Sequence, residues 1–339
     1  MDDIRKEIQK ILNKRNWDMK DWHRAAGLKQ AFLETLMNAD INSFDAEQIK
    51  TLNSVYELTV NAKKPSMLRF KKPIIIACWA YKGGIGKTTI AINLGFELAR
   101  RGYNVLNIDT DGQSDMSSIL KPNYLENPEV NFHNAFSLHQ DFVEGNFICN
   151  TDYDNLDIIP GNGRSEDLEN ILSVLKDDQR QIVLNMCFKT IMLQNYYDFI
   201  IIDKDKSAGL FTSTLLSKAD YVIPPIEPEQ FSIKSIPTVI EHVNAAKKAN
   251  SNLTILGLVL NKFDNRKKTA MAESIRLINK LAPNLLFETH IKCDSNIGNS
   301  QKSFIPLGVY NKSCSANKQM VDLTDEVLKR IKNNQNERL

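Results

Sequence analysis

The stretch Trp79–Gly102, WAYKGGIGKTTIAINLGFELARRG, decides how the rest of the chain is read. It follows a β-branched run, Ile74–Ala80, and continues into apolar residues at helical spacing, Ile90–Arg100. A glycine-rich turn between a buried strand and a helix lets backbone N–H groups face inward around phosphate oxygens, and the helix N-terminus adds its dipole. Gly83, Gly84, Ile85 and Gly86 supply the turn. Lys87 supplies a cation for the β- and γ-phosphates, and Thr88, followed by Thr89, a hydroxyl for Mg²⁺. A turn that merely joined strand to helix would need neither lysine nor hydroxyl. The stretch therefore predicts a phosphate-binding loop.

Working outward, short apolar runs recur downstream: PIIIACWA, YNVLNID, LDIIP, YDFIIID, DYVIPP and TILGLVLNK. Amphipathic stretches of helical length separate most of them. Strands alternating with helices imply right-handed βαβ units, hence an α/β fold with a doubly wound, mostly parallel sheet of the P-loop NTPase kind. Ligands in such sheets bind at the carboxyl ends of strands. Upstream the pattern is helical throughout, and the basic, proline-bearing segment Val60–Pro73 divides the two regions. The expected division is a small all-α domain over residues 1–66 and the phosphate-loop domain over 67–339.

The composition, 42% hydrophobic and 25% charged over 339 residues, is that of a soluble globular protein. Five cysteines without a CxxC pair argue against a disulfide framework or a zinc site and suit a reducing cytoplasm. The N-terminus lacks the apolar core of a signal peptide, and no run approaches the ~18 apolar residues that span a bilayer, so no membrane partner is expected. The near-neutral total conceals an acidic middle and a basic C-terminal third, either a footprint for a polyanion or a set of solvated helix faces.

The loop departs from the generic G-x-x-x-x-G-K-[ST] pattern: Tyr81 stands at the first glycine position and a second lysine, Lys82, follows. In this it resembles the deviant Walker A motif, K-G-G-x-G-K-[ST], of the ParA/MinD superfamily. The resemblance implies that Lys82 reaches across a nucleotide-sandwich homodimer to the phosphates of the partner subunit, with ATP and Mg²⁺ as cofactors. NIDTDGQSDMSSIL resembles the family's D-x-D-P-Q-G, with Gly112 for proline and Ser114 for glycine. It implies Asp109 near the metal and Asp111 positioning the attacking water, beside Lys82 and Lys87 as catalytic groups. YYDFIIIDKDKSAG ends a strand in Asp203, as a Walker B strand does, which with Thr88 and Asp109 completes the implied metal set. There the family usually continues Thr-Pro-Pro, whereas this chain has Lys204-Asp205-Lys206, a change that implies slow or impaired hydrolysis.

ADYVIPPIEPEQFSIKSIPTVIEHV resembles the family's segment near the dimer interface. ILGLVLNKFDNRKK resembles the strand after which the chain lines the adenine pocket, making Asn261 a candidate base contact. Asn261-Lys262-Phe263-Asp264 also matches the N-K-x-D pattern of GTPases, but the lysine-bearing loop favours ATP. The likeness covers about residues 72–331.

Residues 19–38, MKDWHRAAGLKQAFLETLMN, read as a helix-turn-helix with Gly27 at the turn and Trp22, Ala26, Leu28, Leu33 and Leu36 packing the helices together. Lys29 and Gln30 would face a DNA groove. ParA-type ATPases with such an extension form a subgroup, which implies operator binding and autorepression of a partition operon. The ATP-bound dimer would also grip DNA without sequence preference, through basic residues including Arg266, Lys267 and Lys268. The resemblance further implies a ParB-like centromere-binding partner that stimulates slow hydrolysis, and a cytoplasmic, nucleoid-associated location. Two alternatives remain open: a nucleotide-sensing transcriptional regulator with little hydrolysis, and a positioning ATPase for a non-DNA cargo.

Overall fold

The computed structural model describes residues 2–15, 22, 33, 36–38, 46–61, 72–121, 131–133, 147–162, 165–176, 178–180, 182, 185, 188 and 196–336. Its centre is a seven-stranded sheet in the order β3-β4-β2-β5-β1-β6-β8. The strands are β1 (Ile74–Cys78), β2 (Val105–Asp109), β3 (Cys149–Asn150), β4 (Leu156–Ile159), β5 (Phe199–Asp203), β6 (Tyr221–Val222) and β8 (Thr254–Ile255). All neighbours pair in parallel except β3, which runs antiparallel to β4 at the edge.

Alternation along each strand builds two cores. Ile75 and Ala77 of β1, Leu106 and Ile108 of β2, and Ile200 and Ile202 of β5 face one layer. Ile74, Ile76 and Cys78, with Val105, Phe199 and Ile201, face the other. The first layer is closed by α5 (Ser165–Ser173), α6 (Leu210–Leu216), α8 (Ile236–Ala246) and α9 (Lys268–Leu281), through residues such as Leu172, Leu215, Val239 and Ile278. The second is closed by α3 (Lys87–Arg100), α4 (Asp115–Leu120) and α12 (Ser315–Asn336), through Ile90, Met116, Leu323, Val327 and Ile331. Burying each such aliphatic side chain contributes about 1.5–3 kcal/mol. Helix α12 is also tied to α3 by Arg101, which donates to Val321 O and pairs with Asp325 at 2.8 Å.

The sequence runs DYVIPP and TILGLVLNK each read as one strand, and each is split. Pro224 and Pro225 lack the N–H that a continuing ladder needs, so the chain breaks after Val222 and restarts as β7 (Pro225–Ile226). The second run breaks at Gly257, where a Cβ would stand 2.5 Å from the Phe287 ring and 2.6 Å from the Arg330 guanidinium. It resumes as β9 (Val259–Leu260), paired in parallel with β7 as a separate two-stranded sheet.

At the N-terminus, α1 (Asp2–Arg15) packs on α2 (Ala46–Asn61). Ile8, Leu12, Leu52 and Val55 form a core with Trp22, Leu33 and Leu36, separate from the two sheet layers. The Trp22 indole donates to the Thr59 hydroxyl at 2.8 Å. Gly27, Lys29 and Gln30, on which the helix-turn-helix expectation depends, lie outside the described residues. No described helix is long and apolar enough to cross a membrane.

Candidate functional site

Three central strands end at one level. Cys78 pairs with Asp203, and Asp203 with Asp109, so the two carboxylates stand side by side where the chain leaves β1 for the glycine loop. Gly84 and Gly86 take φ of 72° and 92°, values that favour glycine, and α3 starts directly after Gly86. Lys87 is buried, with its ammonium donating to Lys82 O at 3.0 Å across the loop. Burial lowers its pKa, opposed by the charges of Asp203 and Asp111.

Asp203 is fully buried, and among the described residues neither carboxylate oxygen has a hydrogen-bond partner. Its pKa is driven well above the carboxylate range, first by burial and then by Asp109. The Thr88 hydroxyl stands near and favours the charged form without reaching full hydrogen-bonding geometry. Asp109 is placed differently. One oxygen accepts from Ser117 N at 2.9 Å and Ser117 Oγ at 2.5 Å, the other from Asp111 N at 3.1 Å. Burial nevertheless pushes it up to about 7. Two buried carboxylates, one with open oxygens beside a threonine hydroxyl, fit a hard divalent cation. Mg²⁺ needs only one or two carboxylates, completed by phosphates and water. Among the described residues no group of three His, Cys, Asp or Glu forms a protein-only metal cage.

The loop after β2 shapes the cavity wall. Asp111 Oδ1 accepts from Gln113 N at 3.0 Å, and Asp111 O from Ser114 N at 3.0 Å. Ser114 then takes φ 53°, the left-handed conformation that explains why glycine is usual at this position in the resembled motif. A cavity of about 700 Å³ opens over Gly83–Thr89, walled by Asp111, Gly112 and Gln113 on one side and Asp205 and Lys206 on another. A second, of about 530 Å³, shares Gly84, Gly86, Thr89 and Gln301 with the first and extends past Asn261 to Lys292–Gly298. The shared residues make the two cavities adjoining parts of one groove.

Several sequence-expected residues have additional roles. Asn261 lines the second cavity, but its amide donates to Ile85 O at 2.7 Å and lies where a Cβ on Gly86 would collide, so it braces the loop. Lys262 likewise donates to Gly84 O at 2.9 Å. Asp264 is held by Arg266 through Nε at 2.9 Å and a guanidinium nitrogen at 3.0 Å, so the N-K-x-D residues are engaged within the protein. Lys82 turns to Glu227 at 2.5 Å and Glu229 at 2.7 Å, and Glu227 also accepts from Lys262 at 2.5 Å. Lys267 and Lys268 are exposed at the start of α9. The sequence reading missed Glu227 and Glu229 as partners of Lys82, Ser117 as the clamp on Asp109, and the wall Lys292–Gly298. The Glu-Pro-Glu at 227–229, one residue beyond strand β7, was the visible signal for the first.

A doubly wound sheet with a glycine loop, a buried lysine and two strand-end carboxylates defines a P-loop nucleotide-binding protein. A family model described as an AAA domain matches residues 73–255. The Chlamydia trachomatis virulence plasmid ParA family protein pGP5-D is 31% identical over 250 residues, covering 73% of this chain and 91% of that one. The Treponema pallidum chromosome-partitioning ATPase Soj is 30% identical over 251 residues, covering 74% and 94%. Among solved structures, cobyrinic acid a,c-diamide synthase from Mycobacterium smegmatis with bound ATP analogue and magnesium shares the fold, with a TM-score of 0.65 at 21% identity over 77% of this chain and 96% of that one. The chain belongs to the ParA family of P-loop ATPases.

Proposed function

We propose that this protein is a DNA-partition ATPase, in which ATP with Mg²⁺ closes a homodimer that grips DNA and hydrolysis resets it. The observation that carries this reading is the lysine-bearing loop set against Asp203 and Asp109 at the strand ends. Partition relatives at 30% and 31% identity support the biological role, and the magnesium and ATP analogue of the structural neighbour support the ligand.

Thr88 and Asp203 would hold the ion, which would offset charge on the β- and γ-phosphates. Within the chain, Gly83–Thr89 offers amides and the Lys87 ammonium to those phosphates, and Ser117 fixes Asp109 beneath them. Asp111 lies on the cavity wall, where its carboxylate can orient an attacking water. For Lys82 to serve a partner subunit it must leave Glu227 and Glu229, so dimer closure includes the cost of breaking those two bonds. Arg266, Lys267 and Lys268 offer cations to DNA phosphates without base reading, and residues 19–38 would carry operator binding and autorepression. A ParB-like partner would accelerate turnover, and the protein would be cytoplasmic and associated with the nucleoid.

The test is binding of the full-length protein to random-sequence duplex DNA with no nucleotide, ADP or ATP, across a salt series. Binding that requires ATP, weakens with salt and is lost in Lys82→Ala is the expected result. Nucleotide-independent binding that survives Lys82→Ala and disappears without residues 1–66 would overturn the reading in favour of a transcriptional regulator.

A further inference from the structure

The tripeptide Lys204-Asp205-Lys206 replaces the Thr-Pro-Pro expected after the Walker B strand, and its two lysines are used in opposite ways. Lys204 turns inward. It is 1% exposed, its ammonium bonds Asp205 and the Ser207 hydroxyl, and it stands 5.1 Å from the centre of the Phe211 ring. Asp205 Oδ1 also accepts from Ser207 N at 3.1 Å and Ser207 Oγ at 2.7 Å. Ser207 O in turn accepts from the Trp79 indole at 2.8 Å and the Thr212 hydroxyl at 2.9 Å. Farther along, Glu169 fixes the start of α6 by accepting from Leu210 N and Phe211 N. The loop is therefore pinned on both sides of residue 206.

Lys206 is left on the outside of this turn and lies over the glycine loop. Its Cδ is 3.8 Å from the position a Cβ on Gly83 would occupy, and it lines the same cavity as Lys87 and Asp111. Its ammonium has no hydrogen bond or ion pair among the described residues. Four other lysines near the loop are engaged: Lys82 by Glu227 and Glu229, Lys262 by Glu227 and Gly84 O, Lys204 by Asp205, and Lys87 by Lys82 O. An unneutralised cation, exposed and held over the N-terminal half of a phosphate loop, is placed to meet the most highly charged end of a nucleotide.

We propose that Lys206 binds the terminal phosphoryl group of a nucleoside triphosphate from within the same subunit and sets the preference for triphosphate over diphosphate. The proposal rests on the nucleotide reading of the cavity. It gives the chain a way to recognise the third phosphate before any second copy arrives, at a stage when Lys82 is still held by carboxylates.

Equilibrium binding of Mg²⁺–AMPPNP and Mg²⁺–ADP to the full chain tests it, with wild type, Lys206→Ala, Lys206→Arg and Lys87→Ala compared below the concentration at which the protein self-associates. Lys206→Ala should weaken AMPPNP about ten-fold, the size expected of one partly exposed charge-assisted bond, and ADP less than about two-fold. Lys206→Arg should recover most of the AMPPNP affinity. Equal losses for both nucleotides, or no loss for either, would overturn the role of Lys206 while leaving the nucleotide site standing. A wild-type chain that binds neither nucleotide, or binds both as well after Lys87→Ala, would overturn the nucleotide site itself and this proposal with it. The Lys206 side chain is exposed, so thermal unfolding of the variants should match wild type and a folding defect is readily distinguished.

Discussion

In the proposed ATP-driven dimer, replacing Glu227 with glutamine should make closure easier. Glu227 is buried and accepts from two ammonium groups, Lys82 and Lys262, each at 2.5 Å. Its pKa is lowered on balance: burial raises it, and the bonds and charges of Lys262 and Lys82 outweigh that. It is therefore a carboxylate at neutral pH, and Lys82 must leave it before contributing to another subunit. The Lys82 side chain keeps 33% of its surface exposed, so solvent screening holds its bond to Glu227 at about 1 kcal/mol. A dimer frees two such lysines, giving about 2 kcal/mol, or about thirty-fold in the dimer dissociation constant. Glutamine keeps the shape and removes the charge, while Glu229 still restrains Lys82 and Gly84 O still holds Lys262. Sedimentation of wild type and Glu227→Gln with Mg²⁺–AMPPNP over a range of protein concentrations measures the shift. An unchanged or weaker dimer in Glu227→Gln would refute the idea that this carboxylate restrains Lys82.

Asp203→Asn should leave the metal-free protein within roughly 1 kcal/mol of wild type, because a buried carboxyl already driven toward its protonated form is replaced by a neutral group of the same shape. The same variant should lose the extra stability conferred by Mg²⁺ with nucleotide; denaturant titrations with and without both show whether it does. Asp109 and Asp203 are raised in the folded state, so the native protein holds their protons more tightly than the unfolded chain, whose aspartates ionise near pH 4. The Asp109 contribution is full below about pH 4 and is lost as pH rises through about 7, and that of Asp203 acts in the same direction, so wild type without metal should have a lower urea midpoint at pH 8 than at pH 5; Asp203→Asn should flatten that difference. Ser114→Gly should stabilise the protein by about 1 kcal/mol, since φ 53° costs a residue bearing a Cβ more than glycine; a lower thermal midpoint would contradict this.

The phosphate loop and the parallel sheet were legible because both are local: glycines, Lys-Thr and short β-branched runs carry their own structural preferences. Asp203 could be placed from the end of its strand run, and the register then sets Asp109 beside it. What escaped reading depends on contacts across long separations. Lys82 and Glu227 are 145 residues apart, and Gln301 reaches Thr89 across 212. The break at Gly257 followed from Phe287 and Arg330, whose approach no local pattern announces. The second use of the N-K-x-D residues was hidden for the same reason: Asn261 and Lys262 also make tertiary contacts that steady the loop, and only the folded chain displays them.

The turn at Lys204–Ser207 is braced through a carboxylate, where the resembled motif has prolines. A proline turn keeps its shape through a covalent ring and is indifferent to the ions around it. This turn keeps its shape through attraction between charges and dipoles, so strong acid can release it by protonating Asp205. The chain has exchanged a permanent corner for one that can be undone and remade without breaking a bond.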